Sequence, residues 1–155
     1  MFVGYDHYVC NEEGNCQTDE LQTNYQDDLY LRRGIGSQGA FRNALEDAGM
    51  GYWAVGHSED MPWPRPPIGA DGKPDCDDPG FERELLHRLK HSFDERPGIP
   101  LHKLVMNEGW WVTKVECATA LELWERNGQP MPDGFRDDVI PFLRQAAKHG
   151  GFRTF

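Results

Sequence analysis

Apolar residues recur at intervals of three and four in two stretches between residues 37 and 97, which is the spacing of an amphipathic helix. Ser37 can cap the first of these helices, and Gly49 ends it. Asp78 followed by Pro79 is typical of a helix start, and we expect the second helix to end before Pro97. The two apolar stripes are Phe41, Ala44, Leu45 and Ala48, and then Phe81, Leu85, Leu89 and Phe93.

The same spacing predicts two further helices in the last third of the chain. Thr113 and Glu116 have the spacing of a capping box, which places the start of the third helix there. The fourth helix is predicted to begin near Asp137 or Asp138, because Pro141 then lies in the first turn, where its missing N–H has no helical bond to make. The stripes are Cys117, Ala120, Leu121 and Trp124, and then Val139, Leu143, Ala146 and Ala147 before Gly150 and Gly151.

Two short segments at the ends of the chain favour strands. Residues 2–10 alternate in a pattern rich in β-forming side chains, and a polar turn follows at residues 11–15. Residues 152–155 can add a second strand. Residues 51–78 contain five prolines, which exclude a helix and leave little room for sheet pairing. We therefore predict a single α+β domain over residues 1–155, with about four amphipathic helices on a small sheet and a long Pro-rich loop.

The charge of the chain narrows its possible partners. Its 155 residues are enough to close a hydrophobic core. There are 26 acidic and 16 basic residues, and the formal net charge is −10. A surface of this sign repels the phosphates of duplex nucleic acid, and acidic residues interrupt every basic stretch. The expected partner is therefore another protein, with a small ligand as the alternative.

Hydropathy and cysteine content bear on location. The longest apolar runs are far shorter than the ~20 residues that span a bilayer, and residues 1–10 lack the features of a signal peptide. We therefore expect a cytoplasmic protein that does not contact membranes. In that compartment the four cysteines are expected to be reduced thiols rather than a disulfide framework. They are Cys10, Cys16, Cys76 and Cys117.

One turn before a helix has the composition of a small anion or nucleotide site. Its glycines leave backbone N–H groups free to hold an anion at the helix start, and arginines lie close by in sequence. The residues are Arg32, Arg33, Gly34, Gly36, Ser37 and Arg42. The alternative is that the glycines are plain turn residues. The first interpretation makes the chain a small-ligand-binding protein or an enzyme.

Metal ligation has one candidate on the second helix. Glu84, His87 and His91 are three and four residues apart and share one helix side, as zinc ligands from a single helix do. That side is largely opposite the apolar face, and neighbouring cations oppose metal binding. A solvated polar face is the favoured interpretation, so we expect no metal and no cofactor.

Two other sets of residues have partial metal-site chemistry. His7, Cys10, Cys16 and Cys76 include suitable zinc ligands, but His7 and Cys10 project to opposite faces of a strand and no CxxC knuckle is present. Free thiols are the default here. A calcium loop beginning at Asp71 fails, because Lys73 and Cys76 occupy positions that need an oxygen ligand and a glycine. A solvated acidic patch is favoured there.

Tryptophans mark a possible interaction surface. Trp110 and Trp111 are adjacent in an extended segment and face opposite ways, so that one can be exposed and anchor a partner. Trp53 and Trp63 lie in the Pro-rich segment, and their packing beneath that loop is the alternative. No nucleophile elbow, P-loop or dinucleotide fingerprint is present. The leading hypothesis is therefore a non-enzymatic interaction or regulatory protein, with no catalytic residue assigned.

Seven segments together carry a resemblance to a known group of proteins: Tyr5–Val9, Asn24-Tyr25, Gly109–Thr113, Glu116-Cys117, Phe142-Leu143, Ala146-Ala147 and His149–Phe152. Through these segments, about half of the chain resembles small uncharacterised proteins of actinobacteria and their phages. The resemblance implies a phage or actinobacterial source and no activity, and no functional residue is carried over. The long Pro-rich insertion departs from that group.

Overall fold

The computed structural model describes residues 4–16, 29–53, 64–92, 96–105, 109–127 and 131–155. Within these, it describes residues 34–36 and 86–92 as backbone only. Parts of the sequence-based predictions therefore lie outside the described residues. They concern Trp63, the side chains of His87 and His91, the Asn24-Tyr25 pair, and Phe93.

The described chain is α+β, as predicted, and contains four α-helices. The strands are β1 (Gly4–Val9), β2 (Tyr30–Gly34), β3 (Gly51–Tyr52), β4 (Ile99–Pro100), β5 (Trp111–Val112) and β6 (Phe152–Thr154). The helices are α1 (Ile35–Asp47), α2 (Pro79–Ser92), α3 (Lys114–Asn127) and α4 (Asp133–Lys148), with a 3₁₀ turn at Leu101–Leu104. Within the described ranges, none of these helices is both long and apolar enough to cross a membrane.

The main sheet has the strand order β2-β1-β6-β5, and all its pairs are antiparallel. The first and last strands are neighbours at its centre, which confirms that both ends of the chain contribute to the sheet. The register aligns Tyr30 with Tyr8, Tyr8 with Arg153, and Arg153 with Trp111. Directly opposed residues point to the same face. These four side chains therefore form one row across the face that we call the outer face.

The opposite, inner face of the sheet lies in the hydrophobic core. Six of its residues, which alternate with those of the outer face, are almost completely buried: His7, Val9, Leu31, Val112, Phe152 and Thr154. Apolar stripes of α1 and α4 belong to the same core. They are Phe41, Ala44 and Leu45 from α1, Ala48 directly after it, and Val139, Ile140, Phe142, Leu143 and Ala146 from α4. The predicted stripes of these two helices are thus confirmed, with Ala147 partly buried against the core.

Two predicted helix starts are confirmed by their capping bonds. Asp78 Oδ2 accepts from the Phe81 N–H at 2.9 Å at the start of α2. At the start of α3, Glu116 N–H donates to Thr113 Oγ1 at 3.2 Å and Thr113 N–H donates to Glu116 Oε1 at 2.8 Å. This reciprocal pair is a complete capping box. Lys103 Nζ adds an ion pair to the same carboxylate at 2.7 Å.

The prediction for the start of α4 was wrong by four to five residues. The helix begins at Asp133, where the Pro132 carbonyl accepts from Phe135 N–H at 2.8 Å and from Arg136 N–H at 2.9 Å. Pro141 therefore lies inside the helix, where its ring removes one helical hydrogen bond. Ile140 and Phe142, on both sides of Pro141, are buried, and burial of such side chains offsets the lost bond. The helix ends as predicted before Gly151, whose φ is +79°.

Two further sequence-based expectations need correction. Helix α1 begins at Ile35, two residues before Ser37, so Ser37 lies within the first turn and is not the cap. The segment from residue 51 also starts with a sheet pair, because β3 pairs in parallel with β4, aligning Tyr52 with Pro100. This pair is only two residues long, and such short contacts between distant segments carry no alternation that a sequence pattern can show.

A disulfide joins Cys10 to Cys16, so the prediction of four reduced thiols was wrong for this pair. The intervening turn brings the two cysteines together: Asn11 Oδ1 accepts from Glu13 N–H at 3.1 Å and from Asn15 N–H at 2.9 Å. Cys76 and Cys117 are not joined in a disulfide. The disulfide contradicts the thiol state that was expected from a cytoplasmic location, and that location stays a prediction.

Candidate interaction groove

A groove of about 1030 Å³ opens over the outer face of the main sheet. Tyr8, Arg153 and Phe155 form its floor. One wall is the disulfide-closed turn, through residues 14–16, and the other is the described part of the Pro-rich segment, through residues 69–71 and 73–77. We call this space the outer groove. Its lining residues are far apart in the sequence.

The second wall is a compact loop rather than an extended polyproline segment. Asp75 N–H donates to Pro67 O at 2.7 Å, Gly69 N–H donates to Lys73 O at 2.7 Å, and Ile68 forms an isolated antiparallel bridge with Pro74. These bonds fold residues 67–75 back on themselves. The loop therefore presents its carboxylates at a defined place beside the groove.

Arg153 joins the floor of the outer groove to both walls. Its guanidinium donates to Gly14 O at 2.8 Å, to Gly109 O at 2.8 Å and to Asp77 Oδ1 at 2.9 Å. It also lies over the ring of Trp111, 5.4 Å from the centroid. Arg153 is buried, with 6% of its surface exposed. Every polar edge of this guanidinium is thus used to hold the groove together.

The floor of the outer groove is aromatic. The ring centroid of Tyr8 lies 5.2 Å from that of Tyr30 and 6.2 Å from that of Phe155. Phe155 keeps 36% of its surface exposed. Tyr30 Oη donates to Asp6 Oδ1 at 2.6 Å, and partial burial together with this carboxylate raises the pKa of Tyr30 to about 12. The Tyr30 ring is therefore neutral at physiological pH.

Sequence reasoning missed Arg153, Tyr8 and Phe155 as groove residues. One signal was present: a cation stands in the otherwise apolar and β-forming end of the chain, between Phe152 and Phe155. A charged residue beside a core strand is buried only with partners. The identity of those partners depends on the sheet register, which the local pattern does not specify.

The two adjacent tryptophans differ in burial, as their alternation predicted, but neither is exposed. Trp110 is buried and packs edge-on against Phe81 at 5.5 Å and His102 at 5.7 Å between ring centroids. Trp111 is half-buried and donates from Nε1 to Gly150 O at 2.8 Å. Trp110 is thus a core residue, and Trp111 supports the floor of the groove beneath Arg153.

Trp53 lies apart from this pair. It is half-buried against the core, and its Nε1 donates to Glu46 Oε2 at 3.1 Å. Trp63 lies outside the described residues. None of the described tryptophans lines the outer groove, whose aromatic rings are Tyr8 and Phe155, with Tyr30 packed beside Tyr8.

The arginines of the predicted anion site point to different places. Arg33 pairs with Asp138 at 2.6 Å, and its guanidinium lies 5.1 Å from the centroid of the Phe135 ring. Arg32 is on the outer face, 3.9 Å from Asp6. Arg42 donates to Leu104 O at 3.2 Å. The structure does not gather these three side chains at the start of α1. Gly34, Gly36 and Ser37 lie where β2 runs directly into α1. The anion site stays a prediction.

The metal candidates are described only in part. Glu84 is exposed on α2, whereas the side chains of His87 and His91, on the same helix, lie outside the described residues. No cluster of three or more His, Cys, Asp or Glu side chains suited to a metal occurs in the described part of the chain. In the second candidate set, Cys10 and Cys16 are joined to each other, which removes them as thiolate ligands.

His7 is a buried structural residue. Gln38 Nε2 donates to Leu104 O at 2.9 Å, which leaves Gln38 Oε1 to accept from His7 Nε2–H at 3.1 Å. His7 Nδ1 then accepts from the Thr154 hydroxyl at 2.8 Å. Burial is the main cause that lowers the pKa of His7 to about 4. Both ring nitrogens are thus occupied, and the imidazole is neutral at physiological pH.

Cys117 is the buried free thiol, and its surroundings make it unreactive. Burial first, and then the Glu116 carboxylate, raise the pKa of this thiol well above its ordinary value. The thiolate is the nucleophilic form of cysteine. Cys117 therefore belongs to the core rather than to a site of covalent chemistry.

No protein family, no curated protein and no solved structure matches the chain. A function can therefore be proposed only from the geometry described above. The resemblance to actinobacterial and phage proteins accordingly stays a prediction.

Proposed function

We propose that this is a non-enzymatic interaction protein that binds a partner protein in the outer groove. The observation that carries the proposal is a concave aromatic floor, made by Tyr8 and Phe155, between two walls that a single arginine fixes in place. Helices cover the inner face of the sheet, whereas the outer face keeps this cleft. Exposed aromatic surface in a concave setting is typical of protein contact sites.

The groove is organised before any partner arrives. The Cys10–Cys16 disulfide closes one wall, and the Arg153–Asp77 ion pair attaches the other. A surface that is already ordered loses less conformational entropy on binding, so more of its contact energy is available as affinity. This supports a binding role for the outer face.

The test is photo-crosslinking in the cell that makes the protein. A photoreactive phenylalanine analogue replaces Ala70, which is exposed on the groove wall. The matched control carries the analogue at Val115, which is 72% exposed on α3. We expect one discrete partner to be captured from position 70 and not from position 115, and excess unmodified protein to compete with this capture. Equal capture at both positions, or none at position 70, contradicts the proposal.

A further inference from the structure

We infer that the partner places a cationic side chain, lysine or arginine, in the outer groove. The inference rests on the proposed function and specifies the chemistry of what binds. Three features of the groove support it: two carboxylates that have no cationic partner among the described residues, an aromatic floor, and an arginine of this chain that already makes the same kind of contact next to it.

The carboxylates stand on the loop wall. Asp71 Oδ1 accepts from Lys73 N–H at 3.0 Å, and Asp75 Oδ1 accepts from Asp77 N–H at 3.1 Å. Within the described residues neither carboxylate forms an ion pair, whereas Asp77 is paired with Arg153. Asp77 and Arg153 neutralise each other, so Asp71 and Asp75 against Lys73 leave one net negative charge on the lining.

The aromatic floor favours the same ligand. The faces of aromatic rings carry partial negative charge and attract lysine and arginine side chains within about 6 Å of the centroid. Tyr8 and Phe155 line the groove, and Tyr30 packs beside Tyr8. A cation above these rings also comes close to the loop wall, where a carboxylate can pair with it.

Arg153 shows this arrangement in the same row of the sheet. Its guanidinium lies over Trp111 at 5.4 Å and pairs with Asp77 of the loop at 2.9 Å. A partner cation over Tyr8 and Phe155 faces Asp71 or Asp75. It then contacts an aromatic ring and a carboxylate, as Arg153 does, one position along the same row of the sheet. The fold thus contains an internal example of the contact that we infer.

The negative net charge of the chain favours a positively charged ligand. The formal net charge of −10 attracts a basic segment and repels acidic peptides and nucleic acids. Long-range attraction mainly speeds association, and the groove then supplies the specific contacts. A basic segment of a partner protein satisfies both requirements.

The first experiment is an NMR titration of the isotope-labelled protein with a short capped peptide that has one central arginine. The matched probe replaces this arginine with citrulline, which has nearly the same shape and no charge. We expect the arginine peptide to shift backbone amides of groove residues 14–16, 69–77 and 153–155, and the citrulline peptide to bind much more weakly. Equal binding of the two peptides, or shifts located elsewhere, overturns the inference.

Matched variants separate groove contacts from overall charge. Asp71→Asn with Asp75→Asn removes two negative charges and keeps oxygen acceptors for the backbone. Glu122→Gln with Glu125→Gln removes the same charge from exposed positions on α3. We expect the first pair to raise the Kd for the arginine peptide about tenfold and the second less than about twofold. Equal effects of the two pairs contradict a groove contact.

The two proposals fail in distinguishable ways. If position 70 captures a partner while the arginine peptide does not bind, the groove is an interaction site and its ligand is not cationic. If position 70 captures nothing while the arginine peptide binds as expected, the groove is a cation site and the proposed interaction with a protein fails.

Discussion

Arg153 connects three segments that are far apart in the chain, and the outer groove depends on it. Its planar guanidinium reaches Gly14, Gly109 and Asp77 at the same time. A lysine has the charge but only one donor group, so it cannot make these bonds together. The geometry of this one side chain therefore links the end of the sheet to both groove walls.

Arg153→Lys should lower the free energy of unfolding by about 2–3 kcal/mol, because two carbonyls lose a charged donor in a buried setting. Urea denaturation measures the change. Arg144→Lys on the exposed side of α4 is the control and should change stability by less than about 0.5 kcal/mol. An Arg153→Lys protein as stable as the control would show that the three bonds contribute little.

His7 should make the protein sensitive to mild acid. Its pKa is about 4 when folded, against an ordinary value of 6.5, so the unfolded chain binds a proton over this window that the folded chain excludes. The free energy of unfolding therefore falls as the pH is lowered from 6.5 to 4, by about 3 kcal/mol in all. NMR titration of the imidazole checks this directly. Titration of His7 near 6.5 in the folded protein would contradict the account.

At the scale of elements, local signals were sufficient for the helices. The capping bonds of Asp78 and Thr113 and the buried stripe of α1 depend on residues within a few positions of each other, and the sequence shows them. The short strands β3, β4 and β5 are two residues each, and they form by pairing with segments far along the chain. No periodicity develops over two residues, so these strands could not be predicted.

The outer groove was beyond prediction for the same physical reason. It depends on the alignment of Tyr8 with Arg153 and of Arg153 with Trp111, which is a property of strand register. Register is fixed when the inner face packs, and a shift of one residue exchanges the two faces. The sites predicted from the sequence were therefore exposed tryptophans and a glycine turn, whose signals are local.

The turn that follows β1 is closed by the Cys10–Cys16 disulfide, and this disulfide can be tested. We expect alkylation of the unfolded, unreduced protein to label two cysteines, Cys76 and Cys117, and to leave Cys10 and Cys16 protected until reduction. Reduction should lower the free energy of unfolding by about 2 kcal/mol, as expected for closure of so short a loop. Mass spectrometry counts the labels, and four labels without reduction would contradict the disulfide.

At the scale of the whole molecule, the two faces of the sheet are used differently. The inner face carries the core with α1 and α4, and the outer face carries the groove. The chain is strongly acidic, and its groove combines aromatic rings with two carboxylates that have no cationic partner among the described residues. The shape of the outer groove and its charge thus both favour binding of a partner, and the proposed binding role rests on this agreement.

The most direct measurement of that role fills the groove without removing any contact within the protein. Ala70→Trp places a bulky ring on the exposed groove wall, and Val115→Trp adds the same ring at an exposed position on α3. The affinity of the captured partner is then measured for the unmodified protein and both variants. The account predicts that Ala70→Trp weakens binding by at least about tenfold and that Val115→Trp leaves it unchanged. Equal affinity of all three proteins would contradict binding in the outer groove.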